Sequence, residues 1–385
     1  MTAPRVVVAG AGEADCIGVV PDKSALQMHA EAAANALASA NLSTRDVDAL
    51  FTCGNDFMPT LLVGEYLGIR PRFASSNSIG GSSFVAHVHE AVLAMRAGLC
   101  EVALITHGET RRSNRKRGVS PRPATDDPWY PDLQWERIYG VAAPPPAYAL
   151  ACSRHMHQYG TTSEQLAEIA VATRAWAGLN ERALHREPLT IDDVLGSPWV
   201  AWPFHALDCC LVTDAGGAVV LTTLERGRDL GVPLVEVLGS GVAQTHQMIS
   251  QMPDLTVTPA ALSGRAAFAE AGVTVDDIDV AELYDSFTYT VLVTLEDLGF
   301  CAKGEGGAFV SGQRTAPGGS FPLNTSGGGL SYTHPGMFGM FLLIEATRQL
   351  RGECGARQVP DAELALVNGM GGYLSSAATL VLGRA

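Results

Sequence analysis

Two stretches of this 385-residue chain repeat one pattern, and that repeat limits the possible folds more than any other feature. Asn77-Ser78-Ile79-Gly80-Gly81-Ser82 is answered by Asn324-Thr325-Ser326-Gly327-Gly328-Gly329. Asn77, Gly80 and Gly81 each meet the same residue 247 positions later (324 − 77). Upstream, Ala40, Ser43, Asp46, Val47 and Asp48 echo Ala271, Thr274, Asp277, Ile278 and Asp279 at an offset of 231 (271 − 40). Matched segments in the same order in both halves imply a duplicated domain, with loops of unequal length between the copies.

The element pattern fits an α/β domain of that kind. Residues 5–10 (RVVVAG) are apolar, β-branched and closed by glycine, which predicts a buried strand. Residues 24–40 are Ala-rich and helical, 46–51 the next strand, 83–99 a long helix and 101–106 a strand. From 108 to 200 Pro, Trp and charges become frequent, which predicts an inserted, partly helical lid or loop domain. Strand character returns at 216–223, and a second strand–helix series runs to the end. The expected divisions are 1–107 with 201–228 as the first half, 108–200 as the insert, and 229–385 as the second half. Strands alternating with helices predict layered α/β packing.

Composition removes several classes of function. A net charge of −14 argues against nonspecific binding to nucleic acid or anionic membranes. No apolar run is long enough to span a bilayer, and the first residues lack the form of a signal peptide. The eight cysteines form no CxxC pair, so reduced thiols in a cytoplasm are expected. Cys209 and Cys210 are adjacent and would face opposite sides of a strand, which speaks against a metal site. Gly10-Ala11-Gly12 lacks the third glycine of a dinucleotide site, and there is no phosphate-binding loop of the P-loop type.

Five segments together resemble the thiolase superfamily: NSIGGSS before a long helix, HALDCCLVTDAGGAVVL, ELYDSF, NTSGGGLSYTHPG and NGMGGY. The resemblance covers nearly the whole chain, closest to the branch of sterol-carrier-protein thiolases and lipid-transfer proteins. It implies a thiolase-like fold: a duplicated, five-layered α/β/α/β/α architecture with an inserted loop domain. It also marks four polar positions of thiolase chemistry, three of which have changed. The nucleophilic cysteine position holds Ser78, and the second cysteine position, in the 368–372 segment, holds Met370. Tyr284 stands where the family's Asn or His opens its motif, and only the histidine of the Gly-His-Pro motif survives, as His334.

Two tyrosines, Tyr284 and Tyr332, sit where that chemistry was lost, as in the thiolase-like steroid side-chain aldolases. A phenol can take a proton from a β-hydroxyl, and a second donor can hold a thioester enolate oxygen. The resemblance therefore implies retro-aldol cleavage of a β-hydroxyacyl-CoA, with Tyr284 and Tyr332 as acid/base and oxyanion donor and His334 assisting. Coenzyme A enters as part of the substrate, with no bound cofactor. A separate OB-fold, acyl-CoA-binding subunit and a homodimer are expected on the same ground.

Each candidate also has a plainer reading. Ser78 is either a nucleophile that would form an acyl-serine or a small cap or contact residue. Tyr284 and Tyr332 are either acid/base groups or packed side chains with satisfied hydroxyls. Gly371 and Gly372 are expected to offer a backbone N–H near the thioester, with Asp285 and His246 as further substrate or oxyanion contacts; His246 could equally be a surface residue. Arg111, Arg112 and Arg115, in a basic run continued by Lys116 and Arg117, are either coenzyme A phosphate contacts or a solvated turn. Two rival functions remain: Ser78-dependent acyl transfer, and a non-catalytic acyl-CoA- or lipid-binding subunit.

Overall fold

The computed structural model describes residues 3–54, 57–116 and 129–385. Arg117 and residues 118–128 of the insert lie outside the described residues. The strands are β1 (Val6–Glu13), β2 (Ala49–Thr52), β3 (Phe73–Ser76), β4 (Val102–Glu109), β5 (Trp199–Ala201), β6 (Phe204–His205), β7 (Ala215–Thr223), β8 (Val235–Gln244), β9 (Val280–Leu283), β10 (Leu364–Gly371) and β11 (Ser376–Arg384). Nine of them form one mixed sheet in the order β3-β2-β4-β7-β1-β8-β11-β10-β9, while β5 and β6 pair apart.

That order is the duplication in three dimensions. In the first half β2 runs parallel to β3 and β4, β4 antiparallel to β7, and β7 antiparallel to β1. In the second half β9 runs parallel to β10, β10 antiparallel to β11, and β11 antiparallel to β8. The counterpart of β3 is reduced to one parallel bridge, Ala281 with Leu323, immediately before Asn324. The halves join through β1 and β8 at only two paired positions, Val7 with Glu236 and Val8 with Val235.

The repeated residues also repeat their work. Asp46 accepts from the backbone and hydroxyl of Ser43, and Asp277 does the same for Thr274. The Asp48 carboxylate accepts the N–H groups of Glu101 and Val102, and Asp279 those of Glu363 and Leu364. Each aspartate thus ties the start of one parallel strand to the start of its neighbour.

The helices are α1 (Ala25–Ser39), α2 (Pro59–Leu67), α3 (Ser83–Arg96), α4 (Arg111–Lys116), α5 (Pro131–Trp135), α6 (Pro144–Tyr159), α7 (Ser163–Gly178), α8 (Ile191–Gly196), α9 (Leu224–Arg228), α10 (Ala260–Ala271), α11 (Thr288–Leu298), α12 (Gly306–Val310) and α13 (Gly339–Arg351). α1 starts at a capping box in which Ser24 and Gln27 satisfy each other's backbone N–H. It packs on β1, β4 and β7, while α10 packs on β8, β10 and β11. Both helices sit close because the strands beneath them carry glycine. A Cβ at Gly10 would lie 2.2 Å from the Ala36 carbonyl oxygen, and one at Gly239 would lie 2.1 Å from that of Ala267. This close approach is the use of the Gly10-Ala11-Gly12 segment.

α3 and α13 touch each other and strands of both halves, so they form the layer between them. The expected five layers follow: α1, first-half strands, α3 with α13, second-half strands, α10. Phe84, Phe338 and Phe341 are fully buried in the central layer, and each contributes roughly 1.5–3 kcal/mol. β3 and α2 were not expected from sequence. Phe73-Ala-Ser-Ser76 is short and half-exposed, so it lacks the apolar run that reveals buried strands. Between β4 and β7 the described residues form α4 to α8 and the β5–β6 pair, and none of them adds a strand to the large sheet. Among the described residues no helix is long and apolar enough to cross a membrane.

Candidate active site

Four loops converge, and each follows the carboxyl end of a parallel strand, where open α/β sheets place ligands. They are the turn 77–82 after β3, 284–287 after β9, 324–334 after the Leu323 bridge, and 371–375 between β10 and β11. Their approach is tight. A Cβ at Gly81 would lie 2.2 Å from the Tyr284 ring, and one at Gly371 would lie 1.9 Å from the Ile79 carbonyl oxygen. Gly80, at φ +74°, faces the Gly372 nitrogen in the same way.

At the centre the Tyr284 hydroxyl and His334 Nε2 share a hydrogen bond of 3.0 Å. The Phe338 backbone N–H donates to the same phenol oxygen at 3.2 Å. Tyr284 is 4% and His334 8% exposed, and the imidazole stacks on Phe338. Burial, then the nearby Arg111 charge, lowers His334 to about 4. Burial pushes the Tyr284 phenol well above its usual 10. At rest both groups are therefore neutral, one weak acid against one weak base.

Asp285 is fully buried and accepts from Gly329 N at 2.7 Å and Leu330 N at 3.1 Å. Both oxygens are thus spent on the glycine-rich turn that carries His334. Burial pushes this carboxyl up to about 7 against the pull of those N–H groups. A second clamp is the segment after the short 3-10 turn Ala206–Asp208. Cys210 N donates to Ser286 O, Leu211 N to Gly329 O, and Thr213 N to His334 O. His334 N returns a bond to Thr213 Oγ1 at 2.9 Å. Asp214 accepts from Val20 N and from Ser113 N and Oγ, which fixes the start of α4 and hence Arg111.

The other sequence candidates are placed as follows. The Tyr332 hydroxyl donates to Glu13 Oε2 at 2.5 Å, away from the Tyr284–His334 bond. Glu13 is also paired with Arg348 at 2.6 Å and Arg182 at 3.1 Å. Burial drives the Tyr332 phenol well up, while the two arginines and Tyr332 outweigh burial at Glu13 and hold it low. Ser78 is exposed and makes no hydrogen bond to a described residue. The Gly372 carbonyl accepts from Tyr148 Oη at 3.1 Å. His246 lies beside that hairpin, with Nε2 3.0 Å from the Tyr373 carbonyl oxygen and Nδ1 2.9 Å from Thr245 Oγ1. Arg111 is half-buried at the His334 loop, whereas Arg112 and Arg115 are exposed.

Sequence reasoning missed Tyr148, Cys210 and Glu13. Tyr148 comes from α6, where no motif marks it, and packs on Phe287 with ring centres 4.7 Å apart. Cys210 was considered only as a metal ligand. Among the described residues no cluster of His, Cys, Asp or Glu is arranged to hold a metal ion. Glu13 could have been noticed as the one charge closing an apolar strand.

Residues 241–384 match a family model described as "Thiolase C-terminal domain-like". The chain is 35% identical over 342 residues to a steroid side-chain-cleaving aldolase of Thermomonospora curvata, covering 86% of each chain. It is 34% identical over 363 residues to the 17-hydroxy-3-oxo-4-pregnene-20-carboxyl-CoA lyase of Mycobacterium tuberculosis, covering 91% of this chain and 93% of that one. Proteins named acetyl-CoA acetyltransferase are relatives too. The solved "Ltp2-ChsH2(DUF35) aldolase" superposes with a TM-score of 0.90 at 32% identity, over 100% of this chain and 99% of that one. This chain belongs to the thiolase superfamily. Within it, the similarity extends along nearly the whole chain to members named as acyl-CoA lyases and aldolases.

Proposed function

We propose that the chain cleaves a carbon–carbon bond of a β-hydroxyacyl-CoA by a retro-aldol reaction in which no cysteine nucleophile takes part. The observation that carries this is the Tyr284–His334 hydrogen bond, set where all four loops meet. A buried phenol against a neutral imidazole can accept the β-hydroxyl proton as a pair. As that proton leaves, the hydroxyl carbon becomes a carbonyl and the Cα–Cβ bond breaks. Its electron pair becomes the thioester enolate, which takes a proton at Cα and leaves as a shortened acyl-CoA.

In this reading Tyr332 holds the turn through Glu13, and Asp285 holds it through Gly329 and Leu330. Gly371 and Gly372 bring backbone to the thioester, and His246 and Tyr148 shape that hairpin. Ser78 lacks the base an acyl-serine needs, because His334 Nε2 is engaged by Tyr284. Coenzyme A is part of the substrate, as the names of the relatives suggest. A separate OB-fold, acyl-CoA-binding subunit completes the assembly, a reading supported by the two-component name of the structural neighbour.

The test is to co-express the chain with an OB-fold subunit encoded beside it. The complex is then incubated with β-hydroxyacyl-CoAs, and separately with β-ketoacyl-CoAs plus free coenzyme A, and the products are read by mass spectrometry. An aldehyde or ketone with a shortened acyl-CoA, and no consumption of coenzyme A, is the expected result. Cleavage only of the β-keto panel, dependent on coenzyme A, would replace this reading with acyl transfer through Ser78.

A further inference from the structure

Arg111 is an unusual cation in this chain. Other arginines that reach the interior have fixed partners: Arg348 and Arg182 reach Glu13, Arg357 reaches Glu345, and Arg174 donates to Ser331 Oγ and the Glu187 carbonyl. Arg111 is half-buried and makes no hydrogen bond or ion pair to a described residue. Its side chain lies across the loop that carries His334. A Cβ at Gly336 would sit 3.0 Å from Arg111 Cδ and 3.1 Å from Nη1. Its position is also built. Thr213 bonds both the His334 loop and Arg112 N, and Asp214 holds Ser113 in the next turn. One short segment therefore sets the distance between the guanidinium and the Tyr284–His334 pair.

Charge argues for what this cation meets. A positive group beside a buried imidazole disfavours imidazolium formed alone and favours an anion, so proton uptake by the pair is eased only when the enolate charge forms at the guanidinium in the same step. The charge-bearing or titratable groups placed around His334 are Tyr284, Arg111, Asp285, Cys210 and, from β4, His107. Asp285 is the one carboxylate among them, and both its oxygens are taken by the Gly329 and Leu330 N–H groups, not by Arg111.

We infer that Arg111 is a catalytic residue of the lyase, whose guanidinium takes the negative charge that forms on the thioester oxygen as the Cα–Cβ bond breaks, and that it is not an anchor for coenzyme A phosphates. The inference rests on the retro-aldol reading. The β-hydroxyl proton passes to the Tyr284–His334 pair, the bonding electrons settle as enolate with its oxygen at Arg111, and the pair returns a proton to Cα.

The test compares Arg111→Met, Arg111→Lys and, as a surface comparison on α10, Arg265→Met, all in the intact complex. For Arg111→Met kcat falls about 10²-fold or more while KM stays within about threefold, and Arg111→Lys recovers at least about tenfold of the loss. The inhibition constant of free coenzyme A should not move. A preserved kcat with KM and that inhibition constant both raised about tenfold would make Arg111 a phosphate anchor and overturn the assignment. An NMR pH titration of the His334 ring needs no turnover. Its value should rise from about 4 in Arg111→Met, and no rise would equally overturn the placement. Failure of the wild-type complex to cleave any β-hydroxyacyl-CoA, with the His334 titration still shifting, would sink the lyase reading and leave Arg111 facing the site.

Discussion

In the proposed reaction the phenol at position 284 and the imidazole at 334 divide the work that a cysteine pair would do in a thiolase. Removing the hydroxyl alone should show it. Tyr284→Phe keeps the ring against Gly81 and should lower kcat about 10²–10⁴-fold with KM little changed. Steady-state kinetics with a β-hydroxyacyl-CoA decide this, and activity within threefold of wild type, about 0.7 kcal/mol, would exclude the pair as acid/base. Tyr332→Phe should behave differently, because its hydroxyl serves the buried Glu13 carboxylate. Losing a hydrogen bond to a charged acceptor costs about 1.5–3 kcal/mol of stability, measurable as a lower urea midpoint at unchanged m-value. An unmoved midpoint would mean that the Glu13 contact does not hold the turn. At this scale the sequence exposed Tyr284 and His334 through their motifs. It left Arg111 among its basic neighbours, because a run of cations does not say which one turns inward. Glu13 and Tyr332 are 319 residues apart, and no local pattern links them.

The glycine-rich turn is held in part by the Asp285 carboxylate, whose ionisation has a sign. The folded Asp285 value, about 7, lies above the ordinary 3.8. Its contribution to stability is therefore full below about 3.8 and is lost as the pH rises through about 7. Asp285→Asn should be less stable than wild type, since an amide can accept only one of the two N–H bonds. The gap should narrow between about pH 5 and about pH 8, because only the wild type loses stability over that interval. Urea titrations at the two pH values read it, and a gap that widens would show that the N–H groups of Gly329 and Leu330 outweigh burial. The elements themselves were largely visible: the strands from β8 onward and α1, α3, α10 and α13 all show in apolar runs and Ala-rich or amphipathic stretches. β3 did not, being four half-exposed residues, and its counterpart has shrunk to the single bridge at Leu323.

Across the whole molecule, α3 and α13 belong to both halves at once. Neither half can bury its inner face without the other, although β1 and β8 meet at only two positions. Urea unfolding followed by circular dichroism and by tryptophan fluorescence should give one coincident transition. Two separated transitions would show that each half has a core of its own. The duplication was legible because both copies kept the Asn and Gly residues of a tight turn. Which helices fill the space between the sheets was not, because burial on two sides and burial on one leave similar apolar patterns in short helices.

The segment from Cys210 to Asp214 has a longer consequence. Its backbone, helped by the one hydroxyl of Thr213, carries Ser286, Gly329 and His334 to their places. Main-chain bonds do not depend on which residues the loops present. A scaffold wired in this way can exchange one set of reactive groups for another without moving the chain, as a workbench keeps its vice while the tools change. Thiols could have given way to a phenol here by replacing single side chains, and the reverse exchange should be open to the protein engineer at Ser78 and Met370.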